Sequence, residues 1–216
     1  MAGLFVAGTD TDVGKSVLAA SICATLVVRG ERVVAFKPVV TGLDDEPGEW
    51  PPDHELLASV TGQRPEDVSP YRFGLAAAPH LAGDVDPEGL VPPPGEPLVV
   101  EGVGGLLVPL AEDFSVRDLC VRLGLPLVVA AQPGLGTINH TLLTLEAARR
   151  AGLEVLAVVL TPWPDQPDVI ERSNRETIER LGAVPVHGLP PTTSEGLAEA
   201  GSLLPLDAWL RHTPPR

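Results

Sequence analysis

The stretch Gly8-Thr9-Asp10-Thr11-Asp12-Val13-Gly14-Lys15-Ser16 lies between a short apolar run, Leu4–Ala7, and a segment with helical spacing that begins at Val17. It nearly matches the phosphate-binding pattern G-x-x-x-x-G-K-[ST], with one extra residue between the two glycines. In such a loop, backbone N–H groups and the helix N-terminus bind phosphate oxygens. Lys15 would reach the β- and γ-phosphates, and the Ser16 hydroxyl would coordinate Mg²⁺. The stretch therefore predicts a nucleoside triphosphate site; the alternative is an ordinary strand–helix turn with a solvated lysine.

Apolar runs and helical spacing alternate along the rest of the chain. The runs are nearly continuous, which predicts parallel strands covered on both faces. They are Leu4–Ala7, Arg32–Phe36, Pro97–Val100, Pro126–Ala131, Val155–Thr161 and Val184–His187. Helices are expected after the phosphate loop, over Thr137–Ala151 and Asp168–Leu181, and more weakly over Glu195–Leu204. This alternation predicts an α/β fold, with a single-domain, doubly wound, mainly parallel sheet and helices on both faces, across residues 1–216.

Composition narrows the class of partner. The 216 residues carry a formal net charge of −14, which opposes binding to nucleic acid or to an anionic membrane surface. No apolar run reaches the roughly 18 residues of a membrane-spanning helix, and Met1–Val6 lacks the preceding basic region of a secretory signal. Cys23 and Cys120 lie in apolar, helix-like stretches, so we expect buried, reduced thiols. These features predict a cytoplasmic protein.

The lysines are unusually few. Lys and Arg together number fifteen, and only Lys15 and Lys37 are lysines. An ammonium is a compact charge that suits tasks for which the planar guanidinium is less suited. Lys37 closes the predicted strand Arg32–Phe36, so it lies at the carboxyl edge of the sheet, where open α/β sheets bind ligands. We expect both lysines to act at this site, although a solvated lysine at a strand end is the alternative for Lys37.

Two acidic residues are candidates for holding Mg²⁺, which is usually bound through one or two carboxylates and several waters. Glu101 follows the predicted strand Pro97–Val100 and precedes Gly102-Val103-Gly104-Gly105. It is therefore expected at the carboxyl end of a buried strand. The alternative is an acid that caps a turn. Asp53 follows two prolines and precedes an apolar helix, and this spacing by itself predicts a helix N-cap rather than a metal ligand.

With these residues assembled, the chain resembles the dethiobiotin synthetase family of the P-loop NTPase superfamily. The resemblance covers nearly the whole chain and rests on four motifs in order. These are the phosphate loop Gly8–Ser16 with its extra residue, Lys37-Pro38-Val39-Val40-Thr41-Gly42, Glu101-Gly102-Val103-Gly104-Gly105 and Gly136-Thr137-Ile138-Asn139-His140. It implies an enzyme that uses ATP to join CO₂ to 7,8-diaminopelargonic acid (7,8-diaminononanoate). The products are dethiobiotin, whose ureido ring is closed through a carbamate and a carbamic–phosphoric anhydride, together with ADP and phosphate.

The resemblance also implies roles for individual residues. Thr11, Lys15 and Lys37 are expected to be catalytic, and Thr41 to touch the substrate together with Thr11 and Lys37. Ser16, Asp53 and Glu101 are expected to hold Mg²⁺. Thr137 and Asn139, at the start of a helix from a partner subunit, are expected to receive the distal carboxylate of the substrate, so a homodimer is implied. The remaining expected nucleotide contacts are Asp12, Val13, Gly14, Val17, Gly102, Val103, Gly104, Thr161, Pro162, Pro190, Pro191 and Thr192.

In one place the chain departs from the family pattern. Many members carry an Asn-Asp pair that reads adenine, whereas this chain has Thr161-Pro162-Trp163-Pro164. Pro162 has no N–H, and neither Thr161 nor Pro162 offers the paired donor and acceptor of an amide. The nucleotide is therefore left open between ATP, CTP and other nucleoside triphosphates. Pro190-Pro191-Thr192 is expected to flank the base.

Three other functions compete with a synthetase. A partitioning-type dimeric ATPase switch would bind a protein partner or DNA, but such proteins usually carry a lysine where this chain has Asp10. A related amide-forming synthetase would usually bear an additional glutaminase domain. A non-catalytic nucleotide-binding module is the third. Two loops, Leu43–Pro52 and Gly83–Glu96, are long enough either to close over a ligand or to lie on the surface, and the sequence leaves both alternatives open.

Overall fold

A parallel six-stranded sheet forms the centre of the computed structural model, which describes residues 2–46 and 48–211. Its strands, in chain order, are β1 (Gly3–Gly8), β2 (Val34–Phe36), β5 (Leu98–Glu101), β8 (Leu127–Ala131), β9 (Val155–Leu160) and β10 (Val186–Gly188). Two short pairs lie outside it: β3 (Val39–Val40) with β4 (Tyr71–Arg72), and β6 (Pro109–Ala111) with β7 (Phe114–Ser115).

Helices separate these strands. The longer ones are α1 (Lys15–Val28), α2 (Asp53–Thr61), α5 (Val116–Leu123), α6 (Thr137–Arg150) and α7 (Val169–Gly182). The shorter ones are α3 (Pro65–Val68), α4 (Pro79–Ala82), α8 (Leu197–Ser202) and α9 (Leu206–Leu210), with one 3₁₀ turn at Pro87–Gly89. Among residues 2–46 and 48–211, no helix combines the length and the apolar character needed to span a bilayer.

The strand order β10-β9-β8-β1-β5-β2 places β1 inside the sheet, between β5 and β8. All five pairings are parallel. The chain first moves from β1 to the β2 edge and later returns to β8 on the other side of β1. Ligands of open α/β sheets bind at the carboxyl ends of the strands next to such a reversal. The sheet order therefore places the segments that follow β1, β2 and β5 at one edge.

Burial explains why these runs form strands. Every residue of β1, β5 and β8 is buried, and helix packing on both faces divides the apolar residues into clusters around the sheet. The expected α/β fold is confirmed. The expected strand starts at Arg32, Pro97 and Pro126 were too early by one or two residues. Pro97 and Pro126 lack an N–H group for a ladder hydrogen bond, and their carbonyls accept from Val34 and Phe5 instead.

The helix expectations were accurate for α1, α6 and α7, whereas α5 was not predicted as a helix. Asp168 is the N-cap of α7, and its carboxylate accepts from the backbone N–H of Glu171. The weak candidate over Glu195–Leu204 forms only the short helix α8. Cys23 and Cys120 are buried free thiols, as expected. The loop Gly83–Glu96 contains the 3₁₀ turn, and Pro47 within Leu43–Pro52 lies outside the described residues.

The contact between α1 and α8 leaves no room for a side chain at Gly201. A Cβ atom there would lie 2.2 Å from the carbonyl oxygen of Ser21 and 2.4 Å from the hydroxyl of Thr25. We expect Gly201→Ala to lower the free energy of unfolding by about 2 kcal/mol, because overpacking a rigid helix contact forces the backbone to shift. Urea unfolding measures this. Gly48→Ala is the control, since no atom lies within 4 Å of its added Cβ; equal effects of the two substitutions would contradict the steric explanation.

Candidate active site

The phosphate loop joins β1 to α1 through two residues with left-handed backbone. Gly14 is the N-cap of α1 with φ 81°, and Asp12 has φ 56° although it is not a glycine. A Cβ at Gly14 would also lie 2.7 Å from Cγ2 of Thr161, so glycine is required there on two counts. The start of α1 has no side-chain cap and no acidic residue in its first turn. Its N–H groups are therefore suited to an anion.

Lys15 is buried, and its ammonium bends back over the loop. Nζ donates to the carbonyl oxygen of Asp10 at 2.7 Å, and the residue is only 6% exposed. Burial lowers the pKa of Lys15 to about 8, and the nearby charge of Lys37 contributes to that lowered pKa. A cation that is poorly solvated and repelled by a like charge gains most when a polyanion approaches. The loop is thus set up to bind phosphate groups.

Four side chains from different elements form a polar cluster beside the loop, in which Lys37 and Glu101 are buried and Ser16 and Asp53 are partly exposed. The Ser16 hydroxyl lies 2.6 Å from Asp53 Oδ1 and 2.8 Å from Glu101 Oε1, and shares its proton between these carboxylates. Lys37 Nζ donates to Glu101 Oε1 at 2.5 Å and to the carbonyl of Gly102 at 2.9 Å, and lies 2.8 Å from Asp53 Oδ2. We call Ser16, Lys37, Asp53 and Glu101 the carboxylate cluster.

Burial and pairing shift the pKa values of this cluster in opposite directions. Burial alone would lower the pKa of Lys37, but attraction to Asp53 and Glu101 outweighs it and raises the pKa above its ordinary value. Burial alone would raise the pKa of Asp53, but Lys37 and the Ser16 hydroxyl hold it below its ordinary value. For Glu101, which has no exposed surface, burial prevails and the pKa is raised. Lys37 therefore stays charged, and Glu101 takes up a proton more readily than an exposed carboxyl group does.

The cluster has the chemistry of a small divalent-cation site. It offers one hydroxyl and two carboxylates, and Oε2 of Glu101 is buried with no hydrogen-bond partner among the described residues. No group of three or more His, Cys, Asp or Glu side chains suited to a metal occurs in residues 2–46 and 48–211. A small set of oxygen ligands is typical of Mg²⁺ sites, in which water and substrate phosphates supply the remaining positions.

A cleft of about 930 Å³ opens over the loop and the cluster. Its lining includes most of the residues that the sequence singled out. These are Thr11, Asp12, Gly14, Lys15, Ser16, Val17, Lys37, Thr41, Asp53, Val103, Gly104, Thr161, Pro162, Pro190, Pro191 and Thr192. The structure thus brings together residues separated by more than half of the chain.

Five of the expected residues do not line the cleft. Glu101 and Gly102 lie behind its wall and reach it through Lys37, while Val13 is buried in the core beside α1. Thr137 is buried at the start of α6, where its hydroxyl lies 3.5 Å from that of Thr141. Asn139 is exposed on the first turn of the same helix. These two residues therefore lie at a helix start that is not part of the cleft.

The prediction that Asp53 is a helix N-cap, which was made from spacing, is wrong. The spacing predicted a helix N-cap, but Pro52 holds that position and Asp53 is the first residue of α2, with no side-chain cap hydrogen bond. The Asp53 oxygens instead hold Ser16 and Lys37. Capping and site roles look identical in sequence, because both place a carboxylate at a helix start. Only the approach of α1 and of the segment after β2 distinguishes them.

The structure adds cleft residues that the sequence did not indicate. They lie in and after β3, around the start of α4 and, in one case, just before β6. They are Val40, Gly42, Asp45, Glu49, Trp50, Ala76, Ala77, Ala78, Pro79 and Val108. Most of these positions lie in irregular segments, so no hydrophobic period marks them. The acidic, proline-rich composition of Leu43–Pro52 was the one signal that pointed to this wall.

Comparisons with known proteins agree with the motifs. A family model described as an AAA domain matches residues 2–195. The ATP-dependent dethiobiotin synthetase BioD of Bacillus subtilis (strain 168) is 37% identical over 204 residues, covering 88% of this chain and 87% of its own. BioD of Sphingopyxis alaskensis is 38% identical over 207 residues, covering 93% and 95%. The biotin biosynthesis bifunctional protein BioCD of Bordetella avium is 38% identical over 98% of this chain and 43% of its own.

The buried charge of Lys15 should make stability depend on pH. The folded-state pKa of about 8 lies below the ordinary value of 10.5, so the fold opposes protonation of Lys15. This destabilising contribution is fully present below pH 8 and disappears as pH rises from about 8 to 10.5. We expect Lys15→Met to stabilise the nucleotide-free protein at pH 7 by roughly 2 kcal/mol, with no gain near pH 10.5. Urea unfolding at both pH values measures this, and a gain that does not change with pH would show that the charge of Lys15 is not its cause.

Proposed function

Because the chain belongs to the dethiobiotin synthetase family, we propose that it is an ATP-dependent ligase that closes the ureido ring of dethiobiotin in biotin biosynthesis. Its substrates are then 7,8-diaminopelargonic acid, CO₂ and a nucleoside triphosphate. The observation that carries the proposal is the meeting of the phosphate loop and the carboxylate cluster in one cleft. Both lysines of the chain, Lys15 and Lys37, line that cleft.

The reaction has three steps: carbamate formation, phosphoryl transfer and ring closure. One amine of the diamine adds CO₂ and loses a proton, which gives a carbamate. A carbamate oxygen attacks the γ-phosphorus, and the bond to the β-phosphate oxygen breaks to release the nucleoside diphosphate. The second amine then attacks the carbonyl of the carbamic–phosphoric anhydride, phosphate leaves, and the ring closes with loss of a proton. The main barrier is the approach of two anions, so positioning and positive charge dominate catalysis.

The proposed catalytic residues provide that charge. Lys15 would contact the β- and γ-phosphates from the loop, and Lys37 would contact the carbamate and the transferring phosphoryl group. The Thr11 hydroxyl would donate to the same oxygens. Both ammonium groups are almost fully buried, which strengthens their interaction with phosphate relative to water. Thr41, on the same cleft wall, would contact the diamine.

The carboxylate cluster would hold Mg²⁺ through Ser16, Asp53 and Glu101. Support comes from the donor set and from the unpartnered Oε2 of Glu101. When bound, Mg²⁺ neutralises phosphate charge and keeps the triphosphate aligned with the attacking oxygen. Backbone groups of Asp12, Val13, Gly14 and Val17 would surround the phosphates, beside the glycine segment Gly102–Gly104.

The distal carboxylate of the diamine requires a second subunit in this proposal. Thr137 and Asn139 lie outside the cleft of their own chain, at a helix start with Gly136 as N-cap (φ 93°), no side-chain cap and no acid in the first turn. Leu135 beside it is 97% exposed, as expected for a surface that a second copy covers. In a homodimer, this helix start would bind the carboxylate at the partner's cleft.

The base would lie against Thr161, Pro162, Pro190, Pro191 and Thr192. No side-chain amide occurs among the described residues that line the cleft. A wall of prolines and two threonine hydroxyls offers few directional donors and discriminates weakly between bases, because rejection of a wrong base depends on buried polar groups left unpaired. We therefore propose that CTP and other triphosphates are accepted beside ATP.

The remaining features fit a metabolic enzyme. The charge of −14 disfavours nucleic acid and anionic membranes as partners, and a cytoplasmic location remains our prediction. The organisation of residues 1–216 as one domain also remains a prediction, since Met1, Pro47 and residues 212–216 lie outside the described part of the chain. No contact among the described cleft residues specifically favours a partitioning-type ATPase switch.

One incubation separates these functions. The protein is mixed with the diamine, bicarbonate, Mg²⁺ and either ATP, CTP, GTP or UTP, and dethiobiotin is detected by mass. We expect product with all four triphosphates, at rates within about tenfold of one another, since base contacts in this cleft are worth little more than about 1 kcal/mol. Lys37→Ala should abolish product while calorimetric nucleotide affinity is retained. Phosphate release without the diamine, and no dethiobiotin with it, would instead favour the switch.

Complementation tests the contribution of the second subunit. Asn139→Asp puts a carboxylate where the substrate carboxylate would bind, so KM for the diamine should rise at least about tenfold while nucleotide KM changes little. Lys37→Ala is inactive for a different reason. If the helix start acts on the partner's cleft, mixed dimers of the two variants contain one intact site, and about a quarter of wild-type activity should return after statistical exchange. No recovery in dimers shown to have mixed would place Asn139 in its own subunit's site, and an unchanged KM in Asn139→Asp would place it in no site.

A further inference from the structure

The ammonium group of Lys37 is required both by the substrate in the cleft and by the carboxylates of the cluster. The proposed chemistry needs its charge in the cleft, on the carbamate and the phosphoryl group. In the structure the same nitrogen is held by Glu101 Oε1, by Asp53 Oδ2 and by the Gly102 carbonyl, at 2.5, 2.8 and 2.9 Å. These contacts occupy the donor capacity of an ammonium, which has three protons. The group cannot keep all three and also contact a substrate.

The oxygens that hold Lys37 are the ones that a divalent cation would use. Asp53 Oδ1 and Glu101 Oε1 also accept from Ser16, so three of the four carboxylate oxygens of the cluster are engaged. Only Oε2 of Glu101 lacks a partner among the described residues. Mg²⁺ binds oxygens at about 2.0–2.1 Å in near-octahedral geometry, and a hydroxyl ligand must offer a lone pair rather than a proton. Metal binding therefore requires the hydrogen bonds of the cluster to rearrange.

Charge leads to the same conclusion. Lys15 and Lys37 are the two cations among the described residues that line the cleft, and both are buried. Lys37 is paired with Asp53 and Glu101. A divalent cation that binds these carboxylates without nucleotide must therefore displace Lys37 from both of its anionic partners. A metal–triphosphate complex differs, because its phosphates bring anionic oxygens for both lysines. A release of Lys37 is then favourable only when metal and nucleotide arrive together.

We propose that the Lys37 ammonium and the divalent cation compete for the oxygens of Asp53 and Glu101, so that binding of the metal–nucleotide complex transfers Lys37 from the carboxylate cluster into the cleft. The four-carbon stem of lysine permits such a movement by rotation about its side-chain bonds. Lys37 lines the cleft while only 2% exposed, so the path is short. Binding of the metal–nucleotide complex thereby places the positive charge of Lys37 beside the phosphate that reacts. This inference rests on the proposed metal role of Asp53 and Glu101.

Metal binding without nucleotide tests the competition directly. Mn²⁺ alone is titrated into wild type, Lys37→Met and Lys15→Met, and free Mn²⁺ is measured by electron paramagnetic resonance. Lys37→Met should bind Mn²⁺ at least about tenfold more tightly than wild type, because two carboxylates lose their internal cation. Lys15→Met is the matched control: it removes the same charge from the same cleft, but Lys15 donates to the Asp10 carbonyl rather than to a carboxylate. Its gain should stay below about threefold.

Three outcomes would overturn the inference. If Lys37→Met, shown to be folded by circular dichroism, binds Mn²⁺ no more tightly than wild type, Lys37 and the metal do not compete. An equal increase in Mn²⁺ affinity in Lys37→Met and Lys15→Met would show that loss of any nearby positive charge has this effect. If wild-type turnover does not depend on Mg²⁺, the metal role and the competition fall together. If turnover requires Mg²⁺ and Lys37→Met shows no gain, only the competition falls.

A second measurement uses the unaltered protein and does not depend on the folding of a variant at position 37. With two lysines in the chain, ¹⁵N-lysine labelling yields two side-chain ammonium signals, and Lys15→Met assigns them. A nonhydrolysable ATP analogue with EDTA should shift the Lys15 signal alone. The same analogue with Mg²⁺ should also shift the Lys37 signal and speed its proton exchange with water. A Lys37 signal that is unchanged by Mg²⁺ and analogue would overturn the proposal.

Discussion

The need to compensate a buried carboxylate governs the site of this protein. Glu101 has no exposed surface, and a carboxylate in that position must be paired or lose its charge. Lys37 supplies the pair, and Ser16 and Asp53 complete the polar cluster. These residues come from α1, α2, β5 and the segment after β2, so one set of hydrogen bonds ties four parts of the fold together at the carboxyl edge of the sheet. Removing one partner leaves an uncompensated group, which explains how a small cluster can constrain the surrounding elements.

The N-termini of the four helices α1, α5, α6 and α7 are of two kinds, capped and uncapped. α5 and α7 begin with capping boxes, in which Ser115 and Asp168 accept from the backbone and an acid three residues later returns the contact. α1 and α6 begin instead after left-handed glycines, Gly14 and Gly136, without a side-chain cap or an acid in the first turn. The first pair satisfies its own N–H groups, whereas the second leaves them to an outside acceptor. In the proposed function those acceptors are the triphosphate and the distal carboxylate of the substrate.

The site also reconciles an acidic protein with anionic ligands. The chain carries a net charge of −14, yet its only two lysines meet in one cleft. Burial of Lys15 and pairing of Lys37 give the two ammonium groups different properties: the pKa of the first is lowered to about 8, and that of the second is raised. Lys15 is thus poised to gain from a polyanion, while Lys37 is held until its carboxylate partners are otherwise engaged. A local arrangement of charge decides binding, and the overall charge affects mainly which large partners are excluded.

The sequence alone determined the α/β class, the phosphate loop, the helices α1, α6 and α7, and the position of Lys15, Lys37 and Glu101 at the carboxyl edge of the sheet. Each depends on local order: a glycine pattern between strand and helix, a hydrophobic period, or a polar residue at a strand end. It could not distinguish Asp53 as a capping residue from Asp53 as a cluster member, because both uses place a carboxylate at a helix start. Nor did it indicate Asp45, Glu49 or Ala76–Pro79, which lie in segments without a period. Only the tertiary structure decided these points, since the cluster joins residues 16 to 85 positions apart, and the longest of these contacts form only after parallel strands are ordered in a sheet.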